Sequence, residues 1–518
     1  MNISAFIKNA LMGRICVPQC VIVTLLLITG SSAASDFGSS ENNPFDNLSG
    51  ENLLHLGVRD AIFIALEHNP TVTIERLNPE ITHTRADELR ADFDPEISVT
   101  ADQNHVKYQR HYGYVKEPAN INSTRENYYL EISETLPTGT SVSAEVFMTG
   151  SVNNLYTDQY TGGFGLTITQ SLLQGFGLKA NLADLRKAKL DVEITKAELK
   201  AVAEHVIAEV EKAYWNLYLT IEEIAIREKS LELANRQLQE SLERVEVGKL
   251  PELELAAVHA EVAARRGELI DTWSRHEQAR LRLLYLMNPS DDNPWSIKPV
   301  LSDKPFLPED TLDVISTHEE LGLKYRPDLE QAKLEVRKGE IELVRTKNGL
   351  LPRLDVFITL GRTAYAMEFR DAYPDPTSRF YNASAVIVFA YPVKNRKARA
   401  QVVRAQRSKD QMEQSIKNME RLVHMDVRSA YIEVVRSREQ IEATRVTRTL
   451  QERNLEAEHT KFRVGKSTNY LVLQAQRDFI ASQLDEARSM VSYLKALIDL
   501  YVMEGTLLDR RSINSPSN

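Results

Sequence analysis

Two stretches of about 65 residues, roughly 181–247 and 399–464, contain neither proline nor glycine and are rich in Ala, Leu, Glu, Lys, Arg and Gln. These are strong helix formers, and the two absent residues are the strong breakers. Each stretch is therefore predicted to be one uninterrupted helix. At 1.5 Å per residue, each is a rod of roughly 100 Å, longer than any compact globule requires.

The rods belong to a chain written twice. "HNPTV" (His68 to Val72) matches "YRPDL" (Tyr325 to Leu329), and "FDPEISV" (Phe93 to Val99) matches "LLPRLDV" (Leu350 to Val356), both at an offset of 257. Further on, "VEKAYWNLYL" (Val210 to Leu219) matches "VRSAYIEVVR" (Val427 to Arg436), and "VEVGKL" (Val245 to Leu250) matches "FRVGKS" (Phe462 to Ser467), both at an offset of 217. A repeat at fixed spacing indicates a structural unit used twice. The first copy carries about 40 extra residues between Val99 and Val210. The expected organisation is a flexible segment over 35–52, a first repeat over 53–300, a second over 301–508 and a tail over 509–518. Strands are expected at about 94–171 and 352–390, rods at about 181–247 and 399–464, and return helices at about 252–287 and 470–503.

In the first rod Leu199, Val202, Val206, Val210, Ala213, Leu217, Ile221 and Ile224 keep 3–4 spacing, and Leu231, Leu238 and Val245 continue it in sevens. That is a coiled-coil seam. A second row, Ala203, Ile207, Tyr214 and Tyr218, implies a second neighbour, as in a ring of helices; a buried helix of a large bundle is the alternative. The second rod has a weaker seam through Ile416, Met419, Val423, Val427, Ala430 and Val434. Each rod ends at Val-Gly-Lys (Val247 to Lys249, Val464 to Lys466), where glycine accepts the left-handed conformation that closes a helix. Helical hairpins with exposed tips are expected.

Strict alternation appears only between the helices. Ile97, Val99 and Ala101 alternate with polar residues, as do Phe164, Leu166 and Ile168, then Leu354, Val356, Ile358 and Leu360, then Ala383, Ala385, Ile387 and Phe389. The extra residues add a hairpin, Tyr128, Leu130 and Ile132 returning through "LPTGT" to Val142, Ala144 and Val146. Tyrosines crowd the strand ends, at Tyr108, Tyr112, Tyr114, Tyr156, Tyr160, Tyr373 and Tyr381, where an amphipathic ring suits the lipid–water boundary. One apolar and one polar face fits a lipid-facing barrel strand as well as an ordinary soluble sheet. Four to six strands cannot close a membrane barrel, since about eight is the minimum. Three copies would supply 12 or 18. The fold class expected is mainly α with a β-barrel portion closed by a trimer.

The first 34 residues, with Lys8 and Arg14, the apolar run Val21 to Ile28 and the small residues Ser31 to Ala34, read as a secretory signal, with a retained anchor helix as the alternative. Both cysteines, Cys16 and Cys20, fall inside it, so the mature chain has no thiol chemistry. The formal charge of −10 argues against nucleic acid as a partner. Beyond the leader no run of 18 apolar residues exists, so any membrane crossing is made by strands.

No phosphate-cradling loop, His-Glu-x-x-His or nucleophile elbow occurs. "GFG" at Gly175 to Gly177 reads as the strand-to-rod joint, and His205 with Glu209 as a surface pair on one helix face. No catalytic residue, cofactor or metal is expected.

"ALEHNP" (Ala65 to Pro70), "TQSLLQGFG" (Thr169 to Gly177), "AYWNLYL" (Ala213 to Leu219) and the two Val-Gly-Lys turns resemble the landmarks of the outer membrane efflux protein family, the TolC-like ducts. The resemblance covers about Leu53 to Leu508. It implies a homotrimer whose barrel sits in outer-membrane lipid and whose helical tunnel crosses the periplasm. It also implies docking to a periplasmic adaptor (membrane fusion protein) and an inner-membrane pump of RND or ABC type. By the same resemblance Arg244, Gly248, Lys249, Arg463, Gly465 and Lys466 are adaptor-docking tips, and Glu254 and Phe462 contribute to a tunnel gate. Leu471 and Gln474 stand where acids can form a ring, so no cation-binding ring is assigned. The function implied is the outer-membrane channel of a tripartite efflux or type I secretion system, conducting substrates passively. The rival is a periplasmic coiled-coil scaffold or adaptor without a barrel, and a hydrolase is more distant still.

Overall fold

A computed structural model describes residues 43–45, 52–111, 113, 117–154, 157–248, 251–291, 293–307, 312–373 and 379–513. The leader, Lys249, Tyr112, Tyr114 and Tyr156 lie outside the described residues.

Strand β1 (Leu53–Leu56) leads into α1 (Val58–His68) and α2 (Pro70–Ala91). The break between the helices is built by Asn69-Pro70. Asn69 is extended and its side chain accepts the Thr71 amide at 2.8 Å, while proline at the first helical position loses no hydrogen bond. Four strands follow, β2 (Glu96–Arg110), β3 (Ala119–Leu136), β4 (Thr140–Asn153) and β5 (Gln159–Ser171). The short α3 (Leu178–Asn181), the rod α4 (Ala183–Glu246) and the return helix α5 (Leu253–Met287) complete the first copy.

After β6 (Lys298–Leu301), which pairs in parallel with β1, the plan recurs. Helices α6 (Ile315–Tyr325) and α7 (Pro327–Asn348) precede strands β7 (Arg353–Ala366) and β8 (Tyr381–Ala390), the rod α8 (Arg396–Arg463) and the return helix α9 (Asn469–Glu504). Equivalent helices match in length: 11 and 11 residues, 22 and 22, 64 and 68, 35 and 36. The duplication is therefore one of structure as well as of motifs.

The strands form one antiparallel sheet in the order β2-β3-β4-β5-β7-β8. The extra residues of the first copy give it four strands against two, and the hairpin β3–β4 is part of the sheet. Its turn closes at Gly139, whose φ is +86° and where a Cβ would lie 2.2 Å from the Gly175 carbonyl oxygen, so only glycine fits. Asn181 at the rod's foot bonds both the Pro137 and Gly175 carbonyls. That joint ties turn, strand end and helix into one corner.

The helices pack side by side. Near the sheet the row runs α2, α4, α7, α8; farther away it runs α5, α4, α9, α8. Rod α4 thus has neighbours on both flanks and rod α8 on one. The apolar core sits where α1, α4, α5, α8 and α9 meet, around Ile62, Ile207, Tyr214, Leu217, Leu283, Val427 and Ile498. Tyr214 donates to the Leu56 carbonyl at 3.1 Å, pinning the small β1–β6 sheet to the rod.

A clasp closes this core. After Gly505 turns the chain at φ +68°, the one-turn helix α10 (Leu507–Arg510) buries Leu507 and Leu508, and Arg511 forks onto the buried Glu211 of α4 through two 2.6 Å hydrogen bonds. Glu504, wholly buried, takes hydrogen bonds from His318 of α6, Thr506 and Arg510.

One expectation for the first rod is corrected. From Leu199 to Leu217 the predicted seam is buried except at the half-covered Val202, but Ile221 is exposed and Ile224, Leu231, Leu238 and Val245 are only half covered. The buried line below Leu217 is Thr220, Glu223, Ser230, Ala234, Gln237 and Ser241. The reason is the pair of flanking helices: the sides of α4 that meet α5 and α9 there carry polar partners.

Candidate functional site

The sheet has two chemically distinct faces. Register places Ile97, Ile132, Ala144, Leu166, Leu360 and Ala383 in one row across all six strands, and Val99, Leu130, Val146 and Phe164 in the next. The opposite face carries Ser98, Glu131, Glu145, Thr167, Thr359 and Ser384, with glycines at 163, 165 and 361. The apolar face is interrupted at Arg362 and the other face also carries Phe147, Phe357, Val386 and Val388, yet the bias of one face toward apolar residues and of the other toward small polar ones is the pattern of strands that part lipid from water. Beyond Asp102 and Asn127 the face that was apolar becomes polar, held by Gln103–Glu126, His105–Thr124 and Gln109–Asn120 hydrogen bonds, while the other face carries Val106, Tyr108 and the buried Ile121. Among the described residues both outer strands are without a pairing strand along one edge, and β8 is exposed at every position. Unpaired edges of this length cannot sit in hydrocarbon.

The opposite end carries the hairpin tips. Gly248 and Gly465 adopt φ of +70° and +75° with open space around them, and Arg463, Lys466 and Val464 are exposed. Leu253 and Tyr470 are also exposed there. Two of the expected site residues meet: the Arg244 guanidinium lies over the Phe462 ring at 4.3 Å, with Phe462 buried. Glu254, exposed in the first turn of α5, is not brought to that pair, and Leu471 and Gln474 are exposed.

Between tips and core, sequence reading missed an ion-pair ladder. Glu223 accepts from Arg275 of α5 at 2.7 Å and from Arg488 of α9 at 2.8 Å. One step farther, Glu261 accepts from Arg265 at 2.6 Å and from Arg477 of α9 at 2.7 Å, and Glu268 joins Arg265 to Arg227. Burial pushes the Glu261 carboxyl up, but the Arg477 and Arg265 contacts outweigh it and hold the pKa below the ordinary value. The Glu261/Arg265 spacing of four was the one legible sign of this cluster. Higher on α4, burial pushes Glu204 up to about 7, with Lys200 opposing and Asp509 adding to it. His205 is exposed, and Glu209 bonds Arg282 instead. Among the described residues no group of three or more His, Cys, Asp or Glu could hold a metal, and no helix is long and apolar enough to cross a membrane.

An edge-open amphipathic sheet feeding long paired rods defines the class of outer-membrane channels. A family profile described as "Outer membrane efflux protein" matches residues 61–288 and 320–506, and the chain belongs to that family. A solved membrane protein from Pseudomonas aeruginosa is 18% identical, covering 86% of this chain and 90% of its own, with a TM-score of 0.66. The CmeC outer membrane channel of Campylobacter jejuni is 15% identical over 87% and 86%, TM-score 0.64. The MtrE outer membrane channel of Neisseria gonorrhoeae, solved in its open state, is 16% identical over 87% and 89%, TM-score 0.61. No curated sequence matches the chain.

The protein is thus an efflux channel of the outer membrane with its helical part in the periplasm, in a family of passive trimeric channels that work with adaptor and pump partners. The periplasmic scaffold reading is set aside by this membership.

Proposed function

We propose that three copies close into a duct serving as the exit of a tripartite efflux or type I secretion system, with transport driven by ATP hydrolysis or proton flux in a partner pump of ABC or RND type. The observation that carries this is the coincidence of unpaired ends: the sheet is open at β2 and β8, and rod α8 lacks its outer neighbour. The repeat supplies the missing neighbour. Own helices α5 and α9 flank α4, so the α5 of the next copy is the equivalent flank for α8. The exposed face of α8 offers Leu422, Met425, Ile432, Val446 and Leu450 at coiled-coil spacing, ready for that contact.

At the far end the adaptor meets the tips Arg244, Gly248, Lys249, Arg463, Gly465 and Lys466. The Arg244–Phe462 contact, with Glu254 beside it in sequence across the turn, contributes to closure of the tunnel. The chain itself supplies a passage and no chemistry. Outer-membrane fractions should contain trimers that dissociate on heating in detergent, and export of a pump's substrate should stop when the protein is absent. A monomer soluble without detergent would remove this reading.

A further inference from the structure

We infer that the groove between α4 and α7, on the outer side of the helix row at the foot of the rods, holds an anionic phospholipid of the periplasmic leaflet. This rests on the duct proposed above only for which side of the row faces out.

The groove, of about 440 Å³, is lined by Leu190 of α4 and by Ile341 and Val344 of α7, with Arg186, Lys189 and Arg337 on its rim. The three cations are exposed, and among the described residues none of them is paired with an acid. The one acid on the rim, Glu340, is taken by Lys409 of α8 at 3.3 Å. Unopposed cations around an apolar floor fit a phosphate that carries acyl esters, whereas a free inorganic anion has no use for the floor.

The other side of the same seam is closed by the ion pairs Lys187–Glu342, Lys338–Asp191 and Arg345–Asp184. Asp184, Asp191 and Glu198 recur in sevens and so share one stripe of α4. Burial, Glu75 of α2 and Glu335 of α7 together raise the Glu198 carboxyl above its ordinary value. A side chain that senses both flanking helices stands where they curl toward each other, which is the concave, inner side of a ring. Arg186 and Lys189 lie roughly 140 to 200° round α4 from Asp184, and Arg337 and Val344 roughly 200° round α7 from Glu335 and Glu342. The groove therefore opens outward.

Its depth suits a lipid head group. At the foot of β8 the exposed Phe389, Tyr391 and Val393 are followed, from Lys394 to Lys409, by seven cations and no acid, in a chain of net charge −10. Tyrosine followed by cations marks the edge of a bilayer, and an anionic leaflet attracts such a segment. At 1.5 Å per residue, Arg186 and Leu190 lie about 5 to 10 Å from the start of α4, and Val344 and Arg337 about 6 to 17 Å from the end of α7. A head-group layer is roughly 5 to 8 Å deep, and long cationic side chains reach back toward it. Both walls are inner members of the row α2, α4, α7, α8, so a neighbouring copy joined at the ends of the row leaves the groove open.

The test is native mass spectrometry of the full chain, extracted in detergent, stripped of lipid and titrated with phosphatidylglycerol or phosphatidylethanolamine. Preferential binding of phosphatidylglycerol is expected, weakened at least about tenfold by Arg186→Gln, Lys189→Gln and Arg337→Gln together. Val344→Asp, which charges the floor and spares the cations, is expected to weaken it too. A control triple, Lys229→Gln, Arg445→Gln and Arg453→Gln, removes exposed cations farther along the rods and is expected to bind like the unaltered protein. Circular dichroism verifies that every variant is folded. Equal binding of the two lipids, or equal loss in both triple variants, overturns the proposal as unspecific adsorption. Displacement of the lipid by millimolar inorganic phosphate, with Val344→Asp binding normally, overturns it in favour of a simple anion site. Absence of bound lipid overturns it and leaves the groove to an acidic protein partner. The particle mass reports on the duct separately: a trimer without lipid removes this inference alone, whereas a monomer removes the duct and the outward assignment with it.

Discussion

The two rods are products of the same repeat and live in opposite circumstances. Rod α4 buries 23 of its 64 residues within its own chain, while α8 buries only nine of 68. Trp215 of α4 is 6% exposed, whereas Ile432, its equivalent in the second copy, is 65% exposed. The difference teaches that one copy of the repeat encodes the fold and the other encodes the assembly. A side chain on α4 answers to its own polypeptide, and in the proposed trimer one on the outer face of α8 answers to the next.

The sharpest way to break that contrast is Ile432→Asp. A charge in the unpaired seam is expected to abolish the heat-dissociable trimer on gels while circular dichroism of the extracted monomer stays helical. Retention of trimers would show that α8 is not the assembly face. The converse change, Leu217→Ala, is expected to cost the folded chain about 4 kcal/mol in urea denaturation, because it opens a cavity among residues that cannot collapse into it. A loss as small as that of Ile432→Ala would erase the distinction.

Glu204 sharpens the comparison on the α4 side through pH. Its folded pKa of about 7 lies above the unfolded value of 4.5, so its contribution to stability is fully present below pH 4.5 and is lost as pH rises through 7. Glu204→Gln is expected to flatten the stability profile between pH 5 and 9, gaining about 3 kcal/mol at the alkaline end and little at the acid end. An unchanged slope in the variant would mean that the carboxyl is solvated. The smallest effect belongs to the tips: Arg244→Ala removes the cation lying on Phe462 and should cost about 0.5 to 1 kcal/mol. Differential hydrogen exchange near 240–248 and 460–465 would detect it, and equal protection in both proteins would argue that the stacking is idle.

Much of this architecture was legible in the amino acids. The rods announced themselves by the absence of proline and glycine, the hairpin β3–β4 by alternation around Thr138-Gly139, and the tips by glycines that proved to have positive φ. What escaped was encoded in pairs rather than periods. The lower half of α4 packs through Thr220, Glu223, Gln237 and Ser241, residues that a hydrophobicity pattern scores as surface, and their partners Arg275, Arg488 and Asn469 lie 52 to 265 positions away. The outer halves of β2 and β3 were equally silent, since there the polar and apolar faces exchange, Gln103–Glu126 standing on the side that is apolar nearer the helices and Ile121 on the other, so no single alternation runs along the strand. The two residues proposed for a gate remain divided: Phe462 lies against Arg244, whereas Glu254 is exposed in the first turn of α5, because adjacency across a turn does not fix direction.

The clasp formed by Leu507, Leu508 and Arg511 makes distant parts of the chain answer for one another. Glu211 stands 300 positions before Arg511, and without that guanidinium it would be a buried carboxyl with no cation opposite it. The middle of the first rod is therefore stabilised by the segment that follows the second return helix, so damage to that segment is felt in the core of the first copy.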